Sequence, residues 1–137
     1  MVQDDSAPHK VPTLIAQTLI VSHMLVDCVR TAHSVAFSYK HIGASFEDMF
    51  VSFAVLIGTA EGRPMSATKL AGYLGMPRTN VLRALAKLQK QKFVYRVGYA
   101  YLTDLNLLSG RAAKVMAKHA KIIARAHAEL EKLKTPK

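Results

Sequence analysis

The sequence predicts a mainly α-helical fold with one small β-hairpin. The chain of 137 residues contains seven glycines and five prolines, few enough to favour long helices over a sheet-rich fold. Apolar residues recur at helical spacing near both ends of the chain, whereas aromatic and β-branched residues flank Gly98 closely. Half of the residues are hydrophobic, so we expect a single folded domain with a core of its own.

The N-terminal part predicts an arm followed by two helices. Residues 1–11 are polar and predict a flexible arm. After Pro12, a helix of about 25 residues carries apolar side chains on nearly every side, which predicts burial against a second subunit as well. A second helix is expected to begin with Ser45 as its N-cap, with Asp48 completing a shortened capping box, and to end within 58–62.

The C-terminal part predicts another long helix, because its apolar residues alternate steps of three and four. We therefore interpret 12–137 as one domain. Within it, 12–62 and 105–137 supply dimerisation helices, and 63–103 forms a smaller lobe between them. This organisation predicts a homodimer.

The charge of the chain is concentrated in its second half. Residues 1–62 carry three basic and six acidic side chains, whereas 63–137 carry sixteen basic and three acidic ones. Between Glu61 and Asp104 there are eight lysines and arginines and no carboxylate. Such a folded stretch produces a positive field that attracts a polyanion, although a merely solvated basic face remains the alternative.

Several classes of protein are excluded by the sequence. Cys28 is the only cysteine, so no internal disulfide forms and a reducing compartment is expected. No cationic segment precedes an apolar run at the N-terminus, which argues against a signal peptide. The apolar segment 14–29 is interrupted by Gln17, His23 and Asp27 and is expected to fall short of a membrane span. We therefore expect a cytoplasmic protein without a membrane partner.

Residues with enzyme or metal chemistry are not grouped in the sequence. It shows no phosphate-binding glycine loop, no nucleophile with a base and no pair of carboxylates in a polar cleft, so we expect no catalysis and no cofactor. The six histidines lack ligand spacing, which argues against a metal site. Cys28 lies between valines and next to Asp27, which favours a packed thiol over a redox sensor. His119 falls on an apolar stripe, where we expect a hydrogen-bonded interface histidine.

Residues 67–86 fit a helix-turn-helix position by position. Ala71 is small where two steeply crossing helices touch, and Gly75 tolerates the positive φ of the turn. Val81 is placed to seat the second helix against the first. Pro77 suits the first turn of that helix, where its missing N–H costs little.

The second helix of this motif, about 77–91, predicts a surface for double-stranded DNA. Its first turn offers side chains that read bases, and its later turns offer side chains that bind phosphate. The hairpin 93–103 that follows makes the lobe a winged helix, with one cation near its tip. The candidate DNA-binding residues are Arg78, Thr79, Asn80, Arg83, Lys87, Lys90 and Arg96.

The order of these elements resembles the multiple antibiotic resistance regulator (MarR) family of bacterial transcription factors. Residues 70–71 with 74–75, then 79–83 and 102–104, carry the resemblance. It implies a homodimer joined through both chain ends, a bacterial cytoplasmic and nucleoid-associated location, and often a small-molecule effector pocket between frame and lobe. The wing is shorter than in that family and lacks its acidic–basic tip. The helix-turn-helix and short wing also resemble the DNA-binding lobe of isocitrate lyase regulator-type proteins. We expect no counterpart in this sequence for the large effector domain of those proteins.

Three functions follow as hypotheses. The first is a homodimeric transcriptional regulator whose recognition helix enters the major groove of a pseudo-palindromic operator. The second is a low-specificity nucleoid- or plasmid-associated DNA-binding protein, favoured by the short wing and by further cations at Arg111, Lys114, Lys118, Lys121 and Arg125. The third is a ligand- or protein-binding winged-helix module without DNA. The ratio of affinity for a specific site to affinity for random DNA separates the first two hypotheses. Any salt-dependent binding to DNA excludes the third hypothesis.

Overall fold

The computed structural model describes residues 12–38 and 41–134, so the predicted arm 1–11 lies outside the described residues. The mainly helical class with a small hairpin is confirmed. The elements are α1 (Thr13–Ala36), α2 (Ile42–Ala60), β1 (Met65–Ser66), α3 (Ala67–Leu74), α4 (Arg78–Lys90), β2 (Val94–Val97), β3 (Ala100–Thr103) and α5 (Leu105–Lys134).

The two long helices α1 and α5 pack against each other and run antiparallel. The C-terminal end of α1 faces the first half of α5 around a cavity, and the N-terminal half of α1 faces the last turns of α5. His119 of α5 lies 2.8 Å through Nε2 from the carbonyl oxygen of Cys28, which confirms that this histidine is hydrogen-bonded. Asp104 begins α5 as expected, because its Oδ1 accepts from the backbone N–H of Leu107 at 3.1 Å.

Helix α2 begins earlier than the sequence predicts, and the N-cap at Ser45 is wrong. His41 takes that role, since its Nδ1 accepts from the backbone N–H of Ala44 at 3.3 Å. Ser45 lies inside the first turn, where its hydroxyl donates back to the carbonyl of Ile42 at 3.3 Å. Ser45 and Asp48 are both buried. Packing against the neighbouring helices therefore places them inside α2, although their spacing resembles a capping box.

The core of the smaller lobe lies between α2, α3 and α4. Its largest fully buried side chains are apolar: Leu70, Leu85, Leu88, Val51, Val55 and Val81. Helix α3 ends at Gly75 in the left-handed conformation, with φ of 67°, as the turn requires. Ser66 caps α3 by accepting from the backbone N–H of Lys69 at 3.2 Å. The helix-turn-helix geometry predicted for this segment is confirmed.

The hairpin is part of a three-stranded antiparallel sheet in the order β1-β3-β2. Met65 of β1 pairs with Tyr101 of β3, so the short extended piece expected near residue 65 is a strand. β2 and β3 are joined by a two-residue turn whose first residue, Gly98, has φ of 61°. The sheet is tied to α2, because the backbone N–H of Thr103 donates to Oγ1 of Thr59 at 2.9 Å.

Helices α1 and α2 are each long and apolar enough, by length and composition alone, to cross a membrane. An 18-residue window reaches a mean hydropathy of 1.2 in α1 and 1.4 in α2. The expectation that residues 14–29 fall short is therefore not met by this measure, because the helix continues through further apolar residues to Ala36. Core helices of soluble proteins meet the same measure, and α2 is the helix against which α3, α4 and β3 pack.

Candidate nucleic-acid interface

The recognition helix α4 is fixed by its buried side. Val81, Leu85 and Leu88 are almost completely buried against α2 and α3. Because an α-helix turns about 100° per residue, this burial also fixes which residues face outward. The outward residues recur at steps of four, three and four over a length of about 16 Å, and we call them the recognition face: Thr79, Arg83, Ala86 and Lys90.

The recognition face combines three residues predicted from sequence with one that was not. Thr79, Arg83 and Lys90 are exposed as expected, and Ala86 lies between Arg83 and Lys90. Within the described residues, neither Arg83 nor Lys90 is held in an ion pair. A short side chain flanked by long cations lets a helix backbone approach a groove closely, so Ala86 belongs to the surface although alanine gives no chemical signal in a sequence.

Arg78 links the two helices of the motif. Its Nε donates to Oγ1 of Thr68 in α3 at 3.0 Å, and the residue is otherwise exposed. The remaining N–H groups of the guanidinium can still bind an anion. Arg78 is therefore held at the N-terminal end of α4, beside the first residue of the recognition face.

Asn80 and Lys87 are partly exposed, and both side chains make contacts with α2. The Nδ2 of Asn80 donates to Oε2 of Glu47 at 2.8 Å. The Nζ of Lys87 lies 3.9 Å from Oδ1 of Asp48, whose side chain is 2% exposed while that of Lys87 is 35% exposed. Positions 80 and 87 lie two turns apart on one side of α4, and that side faces α2.

Glu47 and Asp48 are the functional residues that sequence reasoning missed. They precede α4 by more than thirty residues, so the carboxylate-free stretch after Glu61 hides two carboxylates that lie beneath the helix in space. They neutralise part of the positive charge of α4 and anchor it to α2. Within α4, the positive field therefore comes mainly from the outward cations, because Asp48 offsets part of the charge of Lys87.

The wing carries its cation differently from the prediction. The Nε of Arg96 donates to the carbonyl oxygen of Gly98 at 2.7 Å, and its guanidinium lies 5.8 Å from the ring centroid of Tyr101. The strand register places Arg96 opposite Tyr101, on the sheet face whose other side chains are buried. The residue that projects furthest at the turn is Tyr99, which is 82% exposed.

A cavity of about 270 Å³ lies between α1, α2, α5 and the sheet, and its lining is almost entirely apolar. Arg111 stands at its edge with its guanidinium 4.6 Å from the ring centroid of Phe93. The lining includes Ala32, Phe53, Leu56, Val94, Leu108 and His119. The arrangement suits a small apolar molecule rather than an ion.

The described residues contain no group of three or more His, Cys, Asp or Glu side chains that could hold a metal. Cys28 is half-buried in α1. Burial and the neighbouring Asp27 carboxylate raise the pKa of its thiol. A raised pKa reduces the thiolate fraction, so the chemistry favours the packed thiol over the sensor.

Comparison with known proteins identifies the lobe. Residues 59–98 match the IclR helix-turn-helix domain, which is less than a third of the chain. No curated protein and no solved structure matches the chain. The match favours the second of the two resemblances drawn from sequence, and MarR membership is not shown. Residues 59–98 are thus similar to the helix-turn-helix domain of IclR regulators, and this match supports a DNA-binding transcriptional regulator with a winged helix-turn-helix.

Proposed function

We propose that this chain is a homodimeric, sequence-specific transcriptional regulator that inserts α4 into the major groove of a pseudo-palindromic operator. The observation that carries the proposal is the recognition face. It presents two cations and a hydroxyl on the outward side of the second helix of a helix-turn-helix, and none of its members is a carboxylate. This composition and placement suit the edges of bases and the phosphates beside them.

The contacts of α4 divide its residues into two roles. We assign base reading to Thr79 and Arg83, because they are exposed near the start of the helix, the part that enters the groove. Arg78 and Lys90 stand at the two ends of the helix, where phosphates flank the groove. Arg96 of the wing is bonded to its own turn and supplies at most a backbone contact.

Asn80 and Lys87 act as positioning residues in this proposal. Their bonds to Glu47 and Asp48 hold α4 at a fixed angle on α2. A reading helix has to keep its orientation, because a small rotation moves an arginine from one base pair to the next. The candidate list from sequence is thereby reduced to five residues with direct contacts: Arg78, Thr79, Arg83, Lys90 and Arg96.

The homodimer is supported by apolar surface that a single chain leaves uncovered. On α2 the exposed apolar side chains recur at steps of four, three and four, and so lie on one face: Phe46, Phe50, Phe53 and Ile57. On α1, Leu14 and Leu25 are exposed by 73% and 55%. Contiguous apolar surface of this kind marks an interaction site in a protein that stays in solution. We infer a frame in which α1, α2 and α5 of two subunits cover each other, as in MarR-like dimers.

The cavity supports a regulatory ligand. It lies between the helices of the proposed dimer frame and the sheet of the DNA-binding lobe, so an occupant would contact both. We propose a small apolar effector there, with Arg111 at the edge able to meet a polar or anionic group. The cell location that fits this function is the cytoplasm of a bacterium, on the nucleoid.

The experiment that tests the function is selection of bound duplexes from a random pool, followed by affinity measurement. We expect an enriched inverted repeat that binds at least a thousandfold more tightly than random DNA, within the usual range of about 10³ to 10⁷. Equal affinity for enriched and random duplexes would favour the low-specificity alternative. Absence of salt-dependent DNA binding would leave only a ligand- or protein-binding module.

A further inference from the structure

The cations of α5 lie on one side of the helix. Their positions step by three and four residues, so at about 100° per residue they fall within an arc of about 80°. We call this row the α5 stripe, and all of its members are exposed: Arg111, Lys114, Lys118, Lys121, Arg125 and Lys132.

From Arg111 to Arg125 the remaining sides of α5 carry no Asp, Glu, Lys or Arg. One side packs against α1 or lines the cavity, through residues that include Leu108, His119 and Ala126. The flank opposite the stripe carries Met116 and Ile123, both exposed. Between Arg111 and Arg125 this helix therefore confines its positive charge to one flank. The stripe is therefore a directed surface.

Most of the stripe is not neutralised by the protein. Arg125 pairs with Glu129 at 3.2 Å near the C-terminal end. Within the described residues, Lys114, Lys118 and Lys121 have no carboxylate within ion-pair distance. Two charged residues of α1 lie across a groove from Lys118. Arg30 extends the positive surface, and Asp27 adds one carboxylate.

Among the described residues, a second copy of this chain offers no row of carboxylates that would complement the stripe. The carboxylates of the described residues are few and scattered, and two of them, Glu47 and Asp48, are engaged with α4. From Arg111 to Arg125 the stripe is about 21 Å long. A duplex carries about one negative charge per 1.7 Å of its axis, so this length faces a dense row of phosphates. Lysines suit that backbone as point charges and read no sequence.

The stripe is also separate from the recognition face. Arg111 lies at the base of the wing, against Phe93. From there α5 runs along α1 towards the N-terminus of α1. We propose that the α5 stripe is a second, sequence-independent binding site for the phosphate backbone of double-stranded DNA. It holds either DNA that flanks the operator or a second duplex, through the same chemistry.

The test uses the full chain with Lys114→Gln, Lys118→Gln and Lys121→Gln combined, since these exposed side chains make no ion pair within the described residues. We expect affinity for random duplex to fall about tenfold or more, and the slope of log affinity against log salt to flatten by about two to three units. An unchanged slope would overturn the proposal.

A matched control keeps the net charge and moves it. The same three glutamines are combined with Ala113→Lys, Ala117→Lys and Ala124→Lys, which restore the charge about 100° round the helix at exposed positions. We expect this variant to bind DNA as weakly as the first one. Recovery of the parent affinity would mean that only net charge matters and would overturn the proposal. Sedimentation of both variants checks that assembly is unchanged.

Further arms separate the possible partners and the two proposals. The variant Arg83→Ala with Lys90→Ala should lose its preference for the operator. Adding the three glutamines to that variant should still lower its affinity for random duplex. The stripe and the recognition face can therefore fail independently. Co-capture of a labelled duplex on an immobilised one indicates a second duplex, whereas a loss restricted to long operators indicates flanking DNA. Phosphatidylserine vesicles that compete equally with DNA would assign the stripe to a membrane surface and overturn the proposal.

Discussion

Replacing Lys87 with alanine separates a positioning residue from a phosphate contact. Removal of one partner from a fully buried ion pair costs about 3–5 kcal/mol, whereas an exposed pair contributes about 0–1 kcal/mol. Lys87 lies between these limits, because it is 35% exposed and 3.9 Å from a carboxylate that is 2% exposed. We therefore expect the free energy of unfolding to fall by about 1–2 kcal/mol, or the melting temperature by about 3 to 10 °C.

The DNA-binding readout should change in a different way. A lysine on a phosphate contributes about 0.9 units to the slope of log affinity against log salt. Since Lys87 faces Asp48, we expect Lys87→Ala to weaken operator binding through misplacement of α4 while the salt slope stays close to that of the parent protein. Melting at fixed protein concentration and titration over a salt series provide the two measurements.

Lys90 offers the matched control, because it makes the same charge change on the recognition face. Lys90→Ala should leave stability within about 0.5 kcal/mol and flatten the salt slope by about 0.9 units per subunit. A Lys87→Ala protein that melts like the parent and flattens the slope as Lys90→Ala does would refute the positioning role. Asp48→Asn combined with Lys87→Ala should cost less than the sum of the single changes, since the two share one interaction.

Four further changes test other parts of the structure. Leu25→Glu should convert a dimer to monomer in sedimentation, because the exposed leucine is assigned to the subunit interface; a stable dimer would contradict that frame. Arg83→Ala should cost about 1–3 kcal/mol per half-site and relax base preference, whereas Arg96→Ala should cost about 1 kcal/mol or less, and the reverse order in operator titrations would contradict the assigned roles. Gly75→Ala should lower stability by about 1–2 kcal/mol in urea unfolding from backbone strain alone, because φ is 67° and no atom lies within 4 Å of the added Cβ. Cys28 should react with iodoacetamide more slowly than a free thiol, since burial and Asp27 raise its pKa, and an equal rate would argue for an accessible thiolate.

Local patterns in the sequence predicted the parts of the fold that local forces decide. The turn at Gly75 depends on one residue and its neighbours within four positions. The hairpin at Gly98 depends on a two-residue turn with flanking β-formers. These features were predicted correctly because the energy that determines them is contained in a short segment.

The failures came from contacts between distant segments. Ser45 has the chemistry of an N-cap, but packing buried it and His41 capped the helix instead. The bond between Asn80 and Glu47 of α2 likewise joins distant segments, and no local pattern around α4 indicates it.

Helix α2 contributes to two surfaces: an uncovered apolar side and the side that holds α4. Phe46 and Phe50 lie on its uncovered apolar side, and their immediate neighbours Glu47 and Asp48 hold the underside of α4. A helix of this length behaves as a rigid rod, so a rotation that presses the phenylalanines onto a partner carries both carboxylates with it. In the proposed homodimer, the angle at which α4 is presented would therefore depend on how α2 packs at the subunit interface.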